Sequence, residues 1–372
     1  MVEAKDMRVA GIPFTAGVAA GAILVPTCGP VFPLLLASCL AFILLLFSVA
    51  PIRMFGCKDS KNLAVPWAMV SFGLAGVFCY LCNKLSAGVT LPPSSLEVLS
   101  LRWCDSLKGC IDSIPYPSED TGALIKALIT GDRSGLEKET IETFRASGAS
   151  HILSLSGLHL GIIYLILMKI TVPLGNSPSA RAARYSFIVT ASGFYTLMTG
   201  AGPSIARAFL FILIGETAKL LGRSREPWRI LLSALVIQLA IKPDVISSTG
   251  FQLSYLAMLG ICTMFPVLEQ FYPKGEGLWG RIDPVRKVWS AATLSLSCQV
   301  FTAPLVWIRF HSFPQYFLLT NLLALPLTSV IMVISVTTIA LSFLGICPGF
   351  LVSLDDMAVG ALKFCLEIIS SL

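Results

Sequence analysis

Long apolar runs dominate the chain, and few charged residues interrupt them. An α-helix needs about 20 mostly apolar residues to cross a bilayer. Such runs predict membrane-spanning helices at 9–26, 31–50, 64–82, 152–172, 184–199, 203–221, 229–247, 250–268 and 288–308. A further uncharged run, 314–345, is too long for one straight span, so we predict a helix broken near Asn321–Pro326. The tail from Asp355 is predicted to be either an interfacial helix or a last span.

The composition excludes a water-soluble fold. Hydrophobic residues make up 55% of the 372 residues and charged residues only 13%, against about 25% charged residues in soluble domains. We predict an all-α polytopic membrane protein with about 10–11 transmembrane or re-entrant helices. Its predicted parts are N-terminal transmembrane helices (1–82), a short extracytoplasmic segment (83–118), a domain of amphipathic helices and a transmembrane bundle (119–346), and a C-terminal helix (347–372).

The basic residues favour a cytoplasmic N-terminus. With that orientation most Lys and Arg residues of the short loops lie on the cytoplasmic side, and only Lys242 and Arg309 lie in short outer loops. Short cytoplasmic loops are enriched in Lys and Arg, so this asymmetry supports the orientation. The segment 83–150 then lies outside, where length exempts it from the charge rule.

Motifs for metals, cofactors and catalysis are missing from the sequence. It has no H-E-x-x-H, no phosphate-binding G-x-x-x-x-G-K-[ST] and no cysteine or histidine spacing typical of a metal site. We therefore predict neither a cofactor nor an enzyme. Cys104 and Cys110 lie in the long polar stretch and would form a disulfide if that stretch faces an oxidising compartment.

Polar residues cluster in the predicted outer halves of several spans. Members of this set are His151, Ser154, Ser156, His159, Ser204, Arg207, Gln252, Ser254, Gln299, Thr302, His311 and Asn321. Polar groups within a bilayer are costly and often mark a pathway. They also bond helices to one another, and a buried histidine is often a packing residue. A polar outer vestibule and ordinary interhelical bonding therefore both remain open.

Helix-start signals add detail to this cluster. Pro203 follows a glycine-rich turn and is predicted at the first helical position, so free N–H groups would face the outer side. Arg207 lies one turn deeper, on nearly the same face as Ser204, and the two would attract an anion. Ser134 and Glu137 have the spacing of a capping box that would start an amphipathic helix.

Several motifs resemble those of one known family. They are Gly131-Asp132-Arg133-Ser134-Gly135-Leu136, Phe144-Arg145-Ala146-Ser147-Gly148-Ala149-Ser150-His151-Ile152-Leu153-Ser154-Leu155-Ser156-Gly157-Leu158-His159, Gly202-Pro203-Ser204-Ile205-Ala206-Arg207-Ala208 and Gly250-Phe251-Gln252-Leu253-Ser254. In this order they resemble the competence domain of ComEC-family proteins. The resemblance covers about 120–330 of this sequence. It implies the competence-domain fold and a multi-pass protein of the bacterial cytoplasmic (inner) membrane.

The resemblance also implies a function and partners. Family members admit single-stranded DNA during natural transformation, with an extracytoplasmic DNA receptor and a cytoplasmic ATPase or helicase. Many carry an OB-like domain, for which 83–114 is too short, and a metallo-β-lactamase-like domain after the competence domain. That second domain is missing from this chain, so we expect a separate nuclease if strand degradation occurs. Membrane lipid is the remaining expected partner.

We interpret the chain as a DNA uptake channel without catalytic activity. Its predicted pathway residues are Arg207, Ser204, His151, Ser154, Ser156, His159, Gln252, Ser254 and Asn321. One alternative is a transporter or flippase for a smaller anionic metabolite or lipid. Another is an intramembrane hydrolase that uses His151 and Ser154, although no carboxylate is placed to orient the imidazole.

Overall fold

The computed structural model of the chain describes residues 4–27, 38–39, 60–86, 95–272, 283–311 and 316–371. Across these ranges the regular secondary structure is helical, and no strand is present. The fold class is therefore all-α, as predicted. The predicted span at 31–50 lies outside the described residues except at 38–39.

The described residues form fifteen α-helices. In chain order they are α1 (Ala4–Thr27), α2 (Ser60–Ser86), α3 (Ser95–Ser113), α4 (Glu119–Thr130), α5 (Lys138–Ala146), α6 (Ser150–Leu153), α7 (Gly157–Ile170), α8 (Pro178–Met198), α9 (Pro203–Leu220), α10 (Pro227–Ile241), α11 (Thr249–Thr263), α12 (Phe265–Glu269), α13 (Pro284–Phe310), α14 (Phe317–Phe343) and α15 (Gly349–Ser370). Proline occupies the first position of several of them, where its missing N–H costs nothing.

The helices identify a polytopic membrane protein. In the described residues, four segments are long and apolar enough to cross a bilayer: Gly157–Leu174, Thr249–Glu269, Pro284–Phe310 and Phe317–Phe343. Shorter apolar stretches lie at Met7–Ile23, Ala68–Lys84 and Pro227–Ile241.

The prediction of a broken helix near Asn321–Pro326 was wrong. α14 runs without interruption from Phe317 to Phe343 and contains Pro326 in its interior. A proline removes one backbone N–H and crowds the preceding turn, which bends a helix but does not have to end it. In an apolar environment the remaining backbone groups are best satisfied by continuing the helix.

Two compact units divide the chain. The first comprises Met1–Pro92 and Thr217–Tyr255, and the second comprises Pro93–Glu216 and Leu256–Leu372, so the boundaries fall within α9 and α11. In the first unit, α1 packs against α2 and α10 around a core that includes Phe14, Val18, Tyr80 and Leu239.

Glycines bring α1 and α2 unusually close. A Cβ atom at Gly17 would lie 1.8 Å from the carbonyl oxygen of Gly73, and one at Gly76 would lie 2.1 Å from that of Phe14. Because real Cβ atoms do not approach backbone atoms so closely, only glycine permits this contact. Small residues commonly serve this purpose in helix pairs of membrane proteins.

The second unit contains three of the four signature motifs, and the motif at 250–254 lies in the first unit. The main core of the second unit joins α3, α4, α5 and α6 to α14 and α15, through side chains such as Ile111, Leu124, Phe144, Ile331 and Leu362. The polar stretch around α3 to α5 is thus part of this helical core, and α3 also packs against α8. A smaller cluster joins α7, α8 and α9.

The proposed disulfide is not formed. Cys104 and Cys110 are both free thiols, six residues apart on α3. Six residues of α-helix rise by about 9 Å, which exceeds the reach of a disulfide within an intact helix. The polar stretch that contains both cysteines forms a continuous helix.

Candidate functional site

The turn after α4 packs onto the break between α6 and α7. Gly131 ends α4 with φ 80°, a conformation that suits glycine, and a Cβ atom there would lie 2.5 Å from Cδ1 of Leu155. The Nε of Arg133 donates to the carbonyl oxygen of Leu153 at 3.0 Å. Tyr195 of α8 donates its hydroxyl to the carbonyl oxygen of Ile129 at 2.6 Å. The signature motifs at 131–136 and 144–159 are therefore in direct contact.

Asp132 organises this turn. Its carboxylate accepts from Lys108 Nζ at 2.8 Å and from the backbone N–H and hydroxyl of Ser134 at 3.0 and 2.7 Å. The hydrogen bonds from Lys108 and then Ser134 hold the pKa of Asp132 well below its usual value. The predicted capping box of Ser134 and Glu137 was wrong, because the Ser134 hydroxyl is engaged by Asp132 and Glu137 is the N-cap of α5.

Replacing Asp132 with Asn is expected to make the stability of the fold less dependent on pH at acidic pH. A folded-state pKa below the unfolded value of about 4 stabilises the fold above that value, and this stability disappears as the pH falls through the folded pKa. The melting temperature of the detergent-solubilised wild-type chain should therefore fall more steeply below about pH 4 than that of the Asp132→Asn chain. Asp105→Asn on exposed α3 surface is the control; equal slopes for wild type and Asp132→Asn would contradict the prediction.

His159 caps the start of α7. Ser156 is the N-cap, its hydroxyl accepts from the N–H of Leu158 at 3.2 Å, and its own N–H donates to Nδ1 of His159 at 3.1 Å. Because Nδ1 accepts a hydrogen bond, the proton of the neutral ring is on Nε2. The side chain is fully buried, and Nε2 has no hydrogen-bond partner in the described structure. The site thus presents a buried N–H donor at a helix start.

His151 and Ser154 both bond to the backbone. Nδ1 of His151 lies 3.2 Å from the carbonyl oxygen of Gly148, and the hydroxyl of Ser154 donates to the carbonyl oxygen of His151 at 2.7 Å. These contacts end α6 and turn the chain towards α7. Neither contact joins the serine hydroxyl to the imidazole.

Arg207 is buried at the start of α9. Its side chain is 1% exposed, and Nη2 donates to the hydroxyl of Ser204 at 3.0 Å. α9 begins at Pro203, as the sequence predicted. A Cβ atom at Gly157 would lie 3.4 Å from Cβ of Ala208, so the starts of α7 and α9 are adjacent. The structure therefore places the first turn of α7, which carries His159, beside the second turn of α9, which carries Arg207.

The remaining pathway residues are more dispersed. Asn321 is the fifth residue of α14, and the neighbouring Thr320 donates to the carbonyl oxygen of Ser147 at 2.6 Å. Gln252 and Ser254 lie on α11 in the first unit, and Gln252 donates to the carbonyl oxygen of Ile246 at 2.9 Å. That these two residues line one opening with the others stays a prediction.

Comparison with known proteins decides the family. A family model described as "Competence protein" matches residues 128–372, well over half of the chain. The chain belongs to this competence protein family. The match agrees with the ComEC-type signature motifs and extends through α15.

Curated relatives support the assignment. The chain is 29% identical to "ComE operon protein 3" of Bacillus subtilis (strain 168) over 213 residues, which cover 56% of this chain and 25% of that protein. It is 26% identical to "Uncharacterized protein YcaI" of Escherichia coli (strain K12) over 67% of this chain and 32% of that protein. It is 28% identical to "Competence protein ComA" of Neisseria gonorrhoeae over 55% of this chain and 28% of that protein.

These relatives are much longer than the part they share with this chain. The chain spans only a quarter to a third of the length of each of them. No solved structure matches the chain.

Two buried carboxyl groups of this competence protein were not included in the predicted site. Glu216 of α9 is 3% exposed and accepts from the hydroxyl of Tyr164 of α7 at 2.7 Å. Asp355 of α15 is fully buried. Their acidic character was visible in the sequence, but their burial depends on tertiary packing.

Proposed function

We propose that the chain is a channel in the bacterial cytoplasmic membrane through which single-stranded DNA enters during natural competence. Membership of the competence family supports a role in DNA uptake. The observation that carries the channel proposal is Arg207, a buried arginine on α9 of a membrane protein. Such a residue is costly in an apolar environment and usually has a functional role.

The starts of α7 and α9 supply the chemistry that a phosphate requires. Helix starts have backbone N–H groups without intrahelical acceptors, and the helix dipole favours an anion there. Arg207 and the Nε2–H of His159 add two side-chain donors. In this proposal the described arrangement, with both side chains buried, is the closed channel. A passing strand would meet only a few donors, which suits a conduit that has to release its cargo.

The proposal includes an orientation and partners. The N-terminus is cytoplasmic, in accord with the distribution of basic residues. An extracytoplasmic receptor delivers DNA, a cytoplasmic ATPase or helicase draws the strand inward, and a separate nuclease acts if the second strand is degraded. The chain itself contributes no catalytic step, and lipid surrounds its apolar helices.

Uptake of labelled DNA in a deletion strain tests the proposal. Cells that lack the gene should bind DNA at the surface but fail to internalise it, and a plasmid copy of the gene should restore internalisation. Normal internalisation in the deletion strain would overturn the proposal. If vesicles from that strain also accumulate a small anion differently, the transporter alternative would replace it.

A further inference from the structure

Asp355 is a buried carboxyl group whose charge has little compensation. Its Oδ1 accepts from the hydroxyl of Ser335 on α14 at 3.0 Å. Its Oδ2 is buried and has no hydrogen-bond partner in the described structure. An ionised carboxylate in a protein interior requires several hydrogen bonds or a cation, and one neutral hydroxyl supplies neither.

The charged groups around α15 are engaged elsewhere. α14 carries no ionisable residue. The ionisable groups on the other elements packed against α15, and on α15 itself, are Glu119, Asp120 and Lys126 of α4, Lys138, Glu139, Glu142 and Arg145 of α5, and Asp356, Lys363, Cys365 and Glu367 of α15.

The cations among these groups have other contacts or are exposed. Lys363 pairs with Asp120 at 2.6 Å, and Lys126 pairs with Asp112. Arg145 lies 3.6 Å from Glu142, and Lys138 is exposed. Asp356 accepts from the hydroxyl of Thr121 at 2.5 Å, so the neighbouring carboxylate also has its own partner. Within the described residues, no ion pair compensates Asp355.

Tyr116 faces the same region. Its hydroxyl is buried and has no hydrogen-bond partner in the described part of the chain. Burial, followed by the charges of Asp355, Cys347 and Cys110, raises the pKa of Tyr116, so the phenol stays neutral. A proton on Asp355 would remove the unfavourable charge and convert an unpartnered acceptor into a donor.

We propose that Asp355 is a proton-binding site between α14 and α15, with the proton on Oδ2 and no metal cation bound. Burial raises the pKa of Asp355 to about 7, and the hydrogen bond from Ser335 offsets part of the rise. The site thus gains and loses its proton near neutral pH. The proposal does not depend on DNA transport.

The sign of the linkage follows from this shift. The folded-state pKa lies above the unfolded value of about 4, so the folded state binds the proton more tightly. Below the unfolded-state pKa of about 4 the carboxyl group is protonated in both states and does not destabilise the fold. As the pH rises from about 4 through about 7, the free energy of unfolding declines. Above that pH the cost of the buried charge is constant.

Infrared spectroscopy of the purified full chain in detergent tests the assignment. The C=O stretch of a protonated carboxyl group should disappear with a midpoint near neutral pH in the wild type and in the control variant Asp356→Asn. It should be missing from Asp355→Asn. Glu216 is a second buried carboxyl group, so only the comparison with Asp355→Asn assigns the infrared band to Asp355. The same band in Asp355→Asn would overturn the proposal, as would a midpoint that shifts when Na⁺ replaces choline.

Thermal unfolding gives an independent measurement. The melting temperature of the wild type should fall between about pH 4 and about pH 7, whereas that of Asp355→Asn should change less, since the amide has the same size and no charge. Identical slopes would overturn the proposal. If Asp355→Asn does not fold, Asp355→Glu should retain the infrared band with an altered midpoint. Loss of the band in Asp355→Glu would count against the site.

Discussion

The Arg207→Ala chain is expected to insert into the membrane at wild-type levels and to reduce the internalisation of labelled DNA by about tenfold or more. The guanidinium group is buried beside the start of α9 and donates to Ser204. A hydrogen bond to a charged group contributes about 1.5–3 kcal/mol, and about 1.4 kcal/mol corresponds to a factor of ten. Internalised DNA per cell, normalised to the amount of chain in the membrane, measures the effect.

Companion variants separate a role in transport from a role in folding. Arg207→Met fills most of the same space without charge, and Arg207→Lys keeps the charge without the planar guanidinium. We expect both variants to retain the wild-type melting temperature within a few degrees. DNA uptake should be lost in Arg207→Met and partly retained in Arg207→Lys. Arg145→Ala is the control, because Arg145 is exposed and its guanidinium group lies beside Glu142 on its own helix. Wild-type uptake in the Met variant would remove Arg207 from the pathway.

Sequence alone predicted the parts of the fold that depend on local composition. The start of α9 at Pro203 follows from a glycine-rich turn and a proline, and both signals act within a few residues. The start of α7 was placed too early, at 152, because its apolar residues continue through the break. That break depends on Ser154 and Ser156, which use their hydroxyl groups to bond to the backbone. Hydropathy does not detect side-chain hydroxyl groups that compete with the helical hydrogen bonds of the backbone.

The candidate site was partly visible from sequence. Buried polar residues on apolar helices were recognisable, and Arg207 and His159 are among those that the structure buries. The capping role of His159 was missed because the spacing typical of a capping box was expected with Glu or Gln at the third position. A search for Ser-x-x-His at a helix start would have found it. The burial of Asp355 could not be derived locally, since it depends on how α15 packs against α14 and on Tyr116, which is far away in the sequence.

Replacing Gly17 with Ala is expected to disrupt the contact between α1 and α2. The new Cβ atom would lie 1.8 Å from the carbonyl oxygen of Gly73, and that oxygen belongs to the backbone of a helix. One of the two helices must therefore shift, which also disturbs the packing of Phe14 and Tyr80 in the same core. Overpacking of this kind typically costs about 1–3 kcal/mol, or more where the backbone cannot move. A marked fall in melting temperature and in the yield of monodisperse protein should result.

Gly11→Ala on the same helix is the matched control. A Cβ atom there would meet the side chain of Leu232 at 3.5 Å, an ordinary van der Waals distance. Alanine also has a higher helix propensity than glycine, so this variant should be as stable as the wild type or slightly more stable. The comparison isolates the effect of the close contact, because both substitutions add one methyl group to α1. If Gly17→Ala melts at the same temperature as Gly11→Ala, then α1 and α2 do not approach as closely as the glycines indicate, and the first unit must be packed in another way.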